Sequence, residues 1–408
     1  MSPRQTLGLA LLAGAVVLLI SSQAIPGQIA DRRGDVWHYF QVSGHILRGE
    51  LPYRDFPLEY PPLALLPFLL PRLALLGHAG SYANYVWVFL IQSAILTTLL
   101  ALTLRDITSR FAMPQPPKMA GLLLLALLVA ASPTLPWRYD LLPALLTALA
   151  LRAVLSERPH QAGFWLGLGI AAKLYPLVLL PVFTIYFFAK GEKRAALCLS
   201  VTSLLTAGAS LLPFYCLSPQ TALSFLRPHE LRGLEVESGA AGLLLIAHAF
   251  NGTPLAVVYN YGADHLVSPS STTVIAYLPV LFGLSLLGLL WDFGRRCSLK
   301  TEPETLLRGS LAVLLTFLFF NKVFSPQYLI WLLPFAPLLR IREAIVLVVI
   351  FALTAILSVT AFSGLLTLQL GPILLLNLRN SLVLTALGLL VSATSTARRY
   401  SLCFTPIS

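Results

Sequence analysis

From Leu7 onward the chain is a succession of apolar runs rich in Leu and Ala, broken at intervals by short basic clusters. The runs cover 7–25, 82–104, 119–135, 140–155, 161–173, 174–189, 195–216, 271–291, 309–321, 326–339, 343–361 and 373–395. Each approaches the roughly 17–25 residues a helix needs to cross a bilayer, or falls short where Pro or Lys interrupts it. Only 11% of the 408 residues are charged and 57% are apolar, too few charges to solvate a globule of this size. A soluble domain and a disordered chain are excluded. Continuous rather than alternating apolar runs exclude a barrel. The expected fold is a single domain over 1–408, an all-α polytopic membrane protein of about twelve transmembrane helices.

Sidedness follows from the basic clusters. Arg105/Arg110/Lys118, Arg152/Arg158, Lys190/Lys193/Arg194, Arg295/Arg296/Lys300/Arg308, Arg340/Arg342 and Arg398/Arg399 fall on every second connection. The positive-inside bias places them, with both termini, in the cytoplasm. Segments 26–81, 134–140, 217–270, 322–326 and 362–372 then lie outside. The net charge of +11 reads as this bias plus contact with anionic membrane lipids, and no nucleic acid partner is expected. The first run resembles a signal peptide but is expected to stay as an uncleaved span. Counting 61–76 as a span would invert the downstream pattern. With Pro61, Pro62, Pro67 and Pro71, it is expected to be a re-entrant or interfacial hairpin. The four cysteines (Cys198, Cys216, Cys297, Cys403) lack metal-ligand spacing, and no disulfide framework is expected.

In so apolar a chain, each charge at membrane depth is informative. The first outer loop holds Asp35 immediately before an amphipathic stretch, Val36 to Leu47, that suits an interfacial helix with Tyr39 among its apolar contacts. Asp35 is expected to cap this helix and, held rigidly there, can also act as a base, with Asp31, Asp55 and Glu59 as rival acids. Arg138 and Asp140 are two residues apart, so they do not share a helix face and are expected to serve different partners. Lys173 interrupts GLGIAAKLYPLVLLP. In the long outer loop 217–270, His229, Glu230, Arg232, Glu235 and Glu237 fall within nine residues, ahead of an apolar stretch, 239–250, expected to fold back onto the membrane. Asn321 and Lys322 end one run; Ser325, Pro326, Gln327 and Tyr328 begin the next. Lys322, Lys173, Arg138, Arg232 and His229 together would form an outward-facing basic pocket suited to a phosphorylated amphiphile. Arg138 and Lys173 have a plainer reading as snorkelling side chains, and His229 and Arg232 as ordinary surface charges.

GDVWHYFQVSGHILRGELPYRDFPLEYPPL, WRYDLLPALL, GLGIAAKLYPLVLLP, HELRGLEVES and NKVFSPQYLIWLLP, in that order between about 34 and 335, resemble the successive motifs of bacterial polyprenol-phosphate-mannose-dependent α-mannosyltransferases. That family belongs to the GT-C superfamily of membrane glycosyltransferases. The resemblance implies a GT-C-like fold and a polyprenyl-phosphate-sugar donor, with mannose as the sugar. It also implies a glycolipid or glycan acceptor and a site on the outer face of the cytoplasmic membrane. Asp35 matches the family's general base, for a single inverting displacement with no metal cofactor. His229, Arg232, Lys173 and Lys322 would face the phosphate, and Glu237 the sugar hydroxyls or Arg232. Arg138, Asp140, Tyr39 and Gln327 complete the expected substrate-binding set. Glu235 stands where the family pattern often has Gln. Two other classes fit many spans with buried charge: a secondary transporter or lipid-linked sugar flippase, and a non-catalytic membrane scaffold.

Overall fold

The computed structural model describes residues 3–75 and 80–392. The Arg398/Arg399 cluster and Cys403 lie outside the described residues. The chain starts with α1 (Pro3–Ser22), a short α2 (Ile25–Ala30), α3 (Asp35–Leu47) and α4 (Leu65–Leu73). A helical body follows: α5 (Tyr82–Arg110), α6 (Pro117–Ala131), α7 (Leu141–Leu155), α8 (Pro159–Ala172), α9 (Leu180–Ala189) and α10 (Lys193–Leu217). Next come α11 (Arg227–Leu231), β1 (Leu234–Glu235), α12 (Gly239–Asn251), β2 (Ala256–Asn260) and β3 (Ala263–Val267). The last helices are α13 (Ser271–Leu299), α14 (Pro303–Phe320), α15 (Ile341–Ile356), α16 (Phe362–Leu366) and α17 (Leu370–Ser392).

Among the described residues, six helical stretches are long and apolar enough to cross a membrane: α5, α10, α13, α14, the continuous stretch Ile341–Leu366, and α17. In α13 only 6% of the apolar window is buried, and Leu281, Leu284, Leu287 and Trp291 point outward. A face of that kind is stable against lipid and not against water. Six shorter apolar helices accompany these. Close helix packing relies on small residues. Gly163 and Gly167 of α8 lie against α10 so tightly that a Cβ would come within 2.6 Å of Leu199 O and 2.5 Å of Ser203 O.

Three stretches bear on the expected architecture. The run 326–339 forms no spanning α-helix. It folds as 3₁₀ turns at Pro326–Leu332 and Ala336–Leu338, and every residue from Tyr328 to Leu339 is buried. Pro326, Pro334 and Pro337 remove the amide donors a continuous helix needs. The loop 217–270 corrects the all-α expectation, because it holds a three-stranded antiparallel sheet in the order β1-β3-β2. Tyr261 and Gly262 both take positive φ (47° and 74°) and close the β2–β3 hairpin, as a two-residue primed turn requires. The stretch 239–250 does become helical, as α12, capped by Ser238 Oγ on Ala241 N (3.2 Å). Finally, Pro62–Leu73 is a helix of 12 residues, about 18 Å at 1.5 Å per residue, too short to cross a bilayer core of about 30 Å.

The start of α3 also differs. Gly34 occupies the cap position and Asp35 opens the helix. The preceding turn is held by Asp31, whose Oδ1 accepts from Arg33 N (2.8 Å) and Gly34 N (3.0 Å). Asp35 is therefore released from capping.

Candidate active site

Where α8 ends, Lys173 turns to an extended backbone and its ammonium enters the protein. It donates to Asp140 Oδ1 at 2.6 Å. Asp140 lies just ahead of α7, is 0% exposed, and accepts a second bond on the same oxygen from Trp331 Nε1 at 2.6 Å. The ammonium lies 4.7 Å from the Tyr139 ring, 5.5 Å from Trp331 and 5.8 Å from Tyr328. Trp331 stacks on Tyr175 at 4.4 Å with the rings 2° apart. The Tyr175 hydroxyl is fixed by Thr147 Oγ1 at 2.9 Å. An ammonium walled by rings is strongly coupled to its carboxylate, because little water screens the pair. The second Asp140 oxygen, Oδ2, has no partner among the described residues.

Arg138 and Asp140 serve different partners. Arg138 Nη1 pairs with Asp35 Oδ2, bringing the loop before α7 against the start of α3. Arg138 also feels the charges of Asp140, Asp31 and Glu235, while burial holds its pKa below the ordinary value. Tyr39, expected at the substrate, is only 1% exposed. It stacks on Phe68 of α4 at 4.2 Å and meets Tyr139 edge-on at 5.8 Å, a wall behind the pair rather than an open contact.

A second group of charges comes from the loops. Arg232 Nη2 donates to Glu59 Oε2 at 2.6 Å, although 173 residues separate them. Glu59 also acts electrostatically on His38, Lys173 and His229, so it joins the two groups. Burial, and then the Arg232 charge, hold the His229 imidazole below its ordinary value. His38 is lowered by burial as well, and its Nε2 has no partner among the described residues. Lys322 Nζ donates to Glu230 O (2.8 Å), and burial lowers its pKa.

Glu235 and Glu237 turn away from this rim. Glu235 Oε2 accepts from Phe324 N (2.6 Å) and its own amide donates to Lys322 O (2.9 Å), which ties β1 to the connection after α14. The pairing expected between Glu237 and Arg232 is replaced. Arg232 binds Glu59, and Glu237 faces Arg379 of α17, which donates to the Glu237 backbone carbonyl at 2.6 Å and lies 4.0 Å from the Phe324 ring. Burial pushes both glutamate carboxyls well above the usual range. Gln327 sits half-buried at the head of the 3₁₀ turn beside Tyr328.

Direct bonds and close charges thus link Asp35, Arg138, Asp140, Lys173, Glu59, Arg232 and His229, with Lys322 attached through Glu230. Sequence reading gave Glu59 only as a rival acid and passed over His38, Trp331 and Arg379. The run EYPP, an acid ahead of a helix-breaking pair, was a usable signal for Glu59. Arg379, within an apolar run, was a usable signal on charge cost alone. Among the described residues, no group of three or more His, Cys, Asp or Glu is placed to hold a metal ion.

Comparison with known proteins found no curated protein that matches the chain. Residues 58–321 match the family model described as Glycosyltransferase family 87. The matched stretch includes Glu59, Arg138, Asp140, Lys173, His229, Arg232 and Glu237. Asp35, Tyr39, Lys322 and Gln327 lie outside it.

Proposed function

The chain belongs to glycosyltransferase family 87 and is a membrane glycosyltransferase, and from that premise we propose that it moves a mannosyl group from a polyprenyl-phosphate donor to a hydroxyl of a glycolipid or glycan acceptor. The transfer takes place on the outer face of the cytoplasmic membrane, opposite the basic connections that precede α6, α8, α10 and α14. Asp35 is the general base.

The observation that carries this reading is the pairing of Asp35 with Arg138 beside the further cations Lys173, Arg232 and Lys322. Arg138 holds the Asp35 carboxylate in place at the start of α3. A donor phosphate competes for Arg138 and leaves Asp35 free to take the acceptor proton. The acceptor oxygen then attacks the anomeric carbon from the side opposite the phosphate. The bond between that carbon and the phosphate oxygen breaks with its electron pair on the phosphate, and the configuration inverts. The leaving phosphate gains charge in the transition state, so fixed cations stabilise that state more than the ground state. Arg232, His229 and Lys173 are the groups that would face this phosphate.

The test uses the full chain in detergent with a short-chain polyprenyl-phosphate-mannose, following release of polyprenyl phosphate with and without EDTA. Release by the wild type that EDTA leaves unchanged and Asp35→Asn abolishes supports the assignment. Undiminished release by Asp35→Asn removes Asp35 as the base and moves the role to Glu59. Release from a glucosyl or pentosyl donor alone corrects the sugar. Lipid translocation in liposomes without any release replaces transfer by transport.

A further inference from the structure

Helix α3 carries two different faces. Asp35, Tyr39 and Val42 lie along one stripe, toward the site described above. Trp37, Gln41, Gly44 and Arg48 recur at helical spacing on the opposite stripe. That second stripe lines a cavity of about 200 Å³, closed on its far side by Arg72 of α4.

Two guanidinium groups converge there. Gly44 has no side chain, and a Cβ at that position would sit 3.4 Å from Arg72 Nη2 and 3.5 Å from Arg48 Nη1. The two nitrogens therefore flank the same empty place. Arg48 is oriented by Glu50 Oε1 on its Nε (2.8 Å) and by His45 Nδ1 on its Nη2 (2.9 Å), which leaves Nη1 aimed over Gly44. Arg72 lies over the Phe40 ring at 3.8 Å and gives Nη1 to Gly80 O at 2.9 Å. Its Nε is buried without a partner, and no carboxylate pairs with it among the described residues. The Arg48 charge acts against it. Two like charges held together by stacking and hydrogen bonds, with donors left over, make a site for an anion. Exposed apolar side chains adjoin both arginines in the chain, Leu47 beside Arg48 and Leu73 beside Arg72. In a membrane protein, exposed apolar side chains next to paired arginines suit the head group of an amphiphile.

We propose that Arg48 and Arg72, converging over Gly44 on the face of α3 turned away from Asp35, bind the phosphate group of a membrane amphiphile. This site is separate from the one that carries the transfer reaction, and its occupancy does not depend on the donor sugar. It clamps α3 against α4 at the membrane surface.

The experiment is a titration of the full chain in detergent with short-chain phosphatidylglycerol, read by native mass spectrometry. Wild type is compared with Arg72→Gln, with Gly44→Asp and with Arg54→Gln, a surface arginine of the following loop, as control. Gly44→Asp keeps both arginines and fills the place between them with a tethered carboxylate, so it tests the site even where Arg72→Gln unfolds. We expect one tight lipid site in wild type and in the control, weakened at least about tenfold in the other two. Equal affinity in wild type and Gly44→Asp overturns the proposal. A second arm adds inorganic phosphate. Displacement of the lipid assigns the site to phosphate as such; retention of a lipid that Gly44→Asp still weakens assigns it to the lipid head group.

Discussion

The two ends of α14 hold buried charges of similar kind in opposite states of completion. Near its start, Arg308 has every nitrogen matched. Nε donates to Leu390 O (3.1 Å), Nη1 to Glu343 (2.9 Å) and Glu304 (3.4 Å), and Nη2 to Leu389 O (2.6 Å). Arg296 adds a bond to Val391 O at 2.6 Å, so two arginines satisfy the last carbonyls of α17. In this network Glu343 Oε2 is left over. Beyond the other end of α14, Asp140 Oδ2, His38 Nε2, Arg232 Nε and Glu237 Oε1 are all buried without partners among the described residues. Buried polar groups are normally paired. A network with one oxygen left over holds helices together, whereas one with four atoms left over has hydrogen bonds for a ligand to make.

That contrast can be broken by substitution. The largest effect is expected at the open end, where Asp35→Asn should lower the transfer rate by about 10²–10⁴-fold, the range of general-base catalysis, with the melting temperature unchanged. A comparable loss of melting temperature would show that the Asp35–Arg138 pair is structural. At the closed end, Glu343→Ala leaves the buried Arg308 with Glu304 at 3.4 Å as its one carboxylate, a cost of up to about 3 kcal/mol. Thermal unfolding should fall accordingly while KM and kcat of the surviving folded protein stay near wild type. Next, Arg232→Gln should raise KM for the donor by about 10–100-fold, as the loss of one charge-assisted bond implies, with little change in melting. Glu59→Gln should share that change if the two act as a unit.

The smallest effect belongs to neither end. The Arg54 guanidinium beside Asp55, with the Leu51 amide, holds the exposed Asp55 carboxyl down at about 2 against an ordinary 3.8. A depressed acid stabilises the fold above its ordinary value and loses that stabilisation as pH falls through its folded value. Melting curves taken from pH 5 to pH 2 should therefore show a slight step between about 4 and 2 that Asp55→Asn removes. Such an exposed pair is a baseline for the two buried networks.

Much of this arrangement was legible because membrane burial makes charge conspicuous. Lys173 and Asp140 stand out at the ends of apolar runs and Arg138 in a short connection between two, and Arg138 and Asp140 do take different partners, although both precede α7 and no helix face separates them. The expected helices 82–104, 195–216 and 271–291 recur as α5, α10 and α13, with charged or polar ends extending them. What stayed hidden was partnership across distance. Nothing in local spacing joins Glu59 to Arg232, or Trp331 to Asp140, 191 residues away. Apolar content also misled at 326–339, where hydrophobicity is the same for a lipid-facing helix and a buried coil. There the three prolines were the better guide. The sheet of 234–267 was missed because Leu234–Glu235 is too short to show alternation and the turn Tyr261–Gly262 lacks the usual Asn or Asp.

The 3₁₀ segment from Pro326 to Leu338 carries a consequence for biogenesis. Irregular backbone with missing amide donors is unstable where only lipid surrounds it, since each unsatisfied carbonyl costs several kcal/mol. Trp331, which the segment delivers to Asp140, reaches a carboxylate already embraced by Lys173. The segment therefore takes its final shape only with α6, α7, α14 and α15 gathered around it. The segment is the keystone of the bundle, and the Asp140–Lys173–Trp331 cluster comes into being with it.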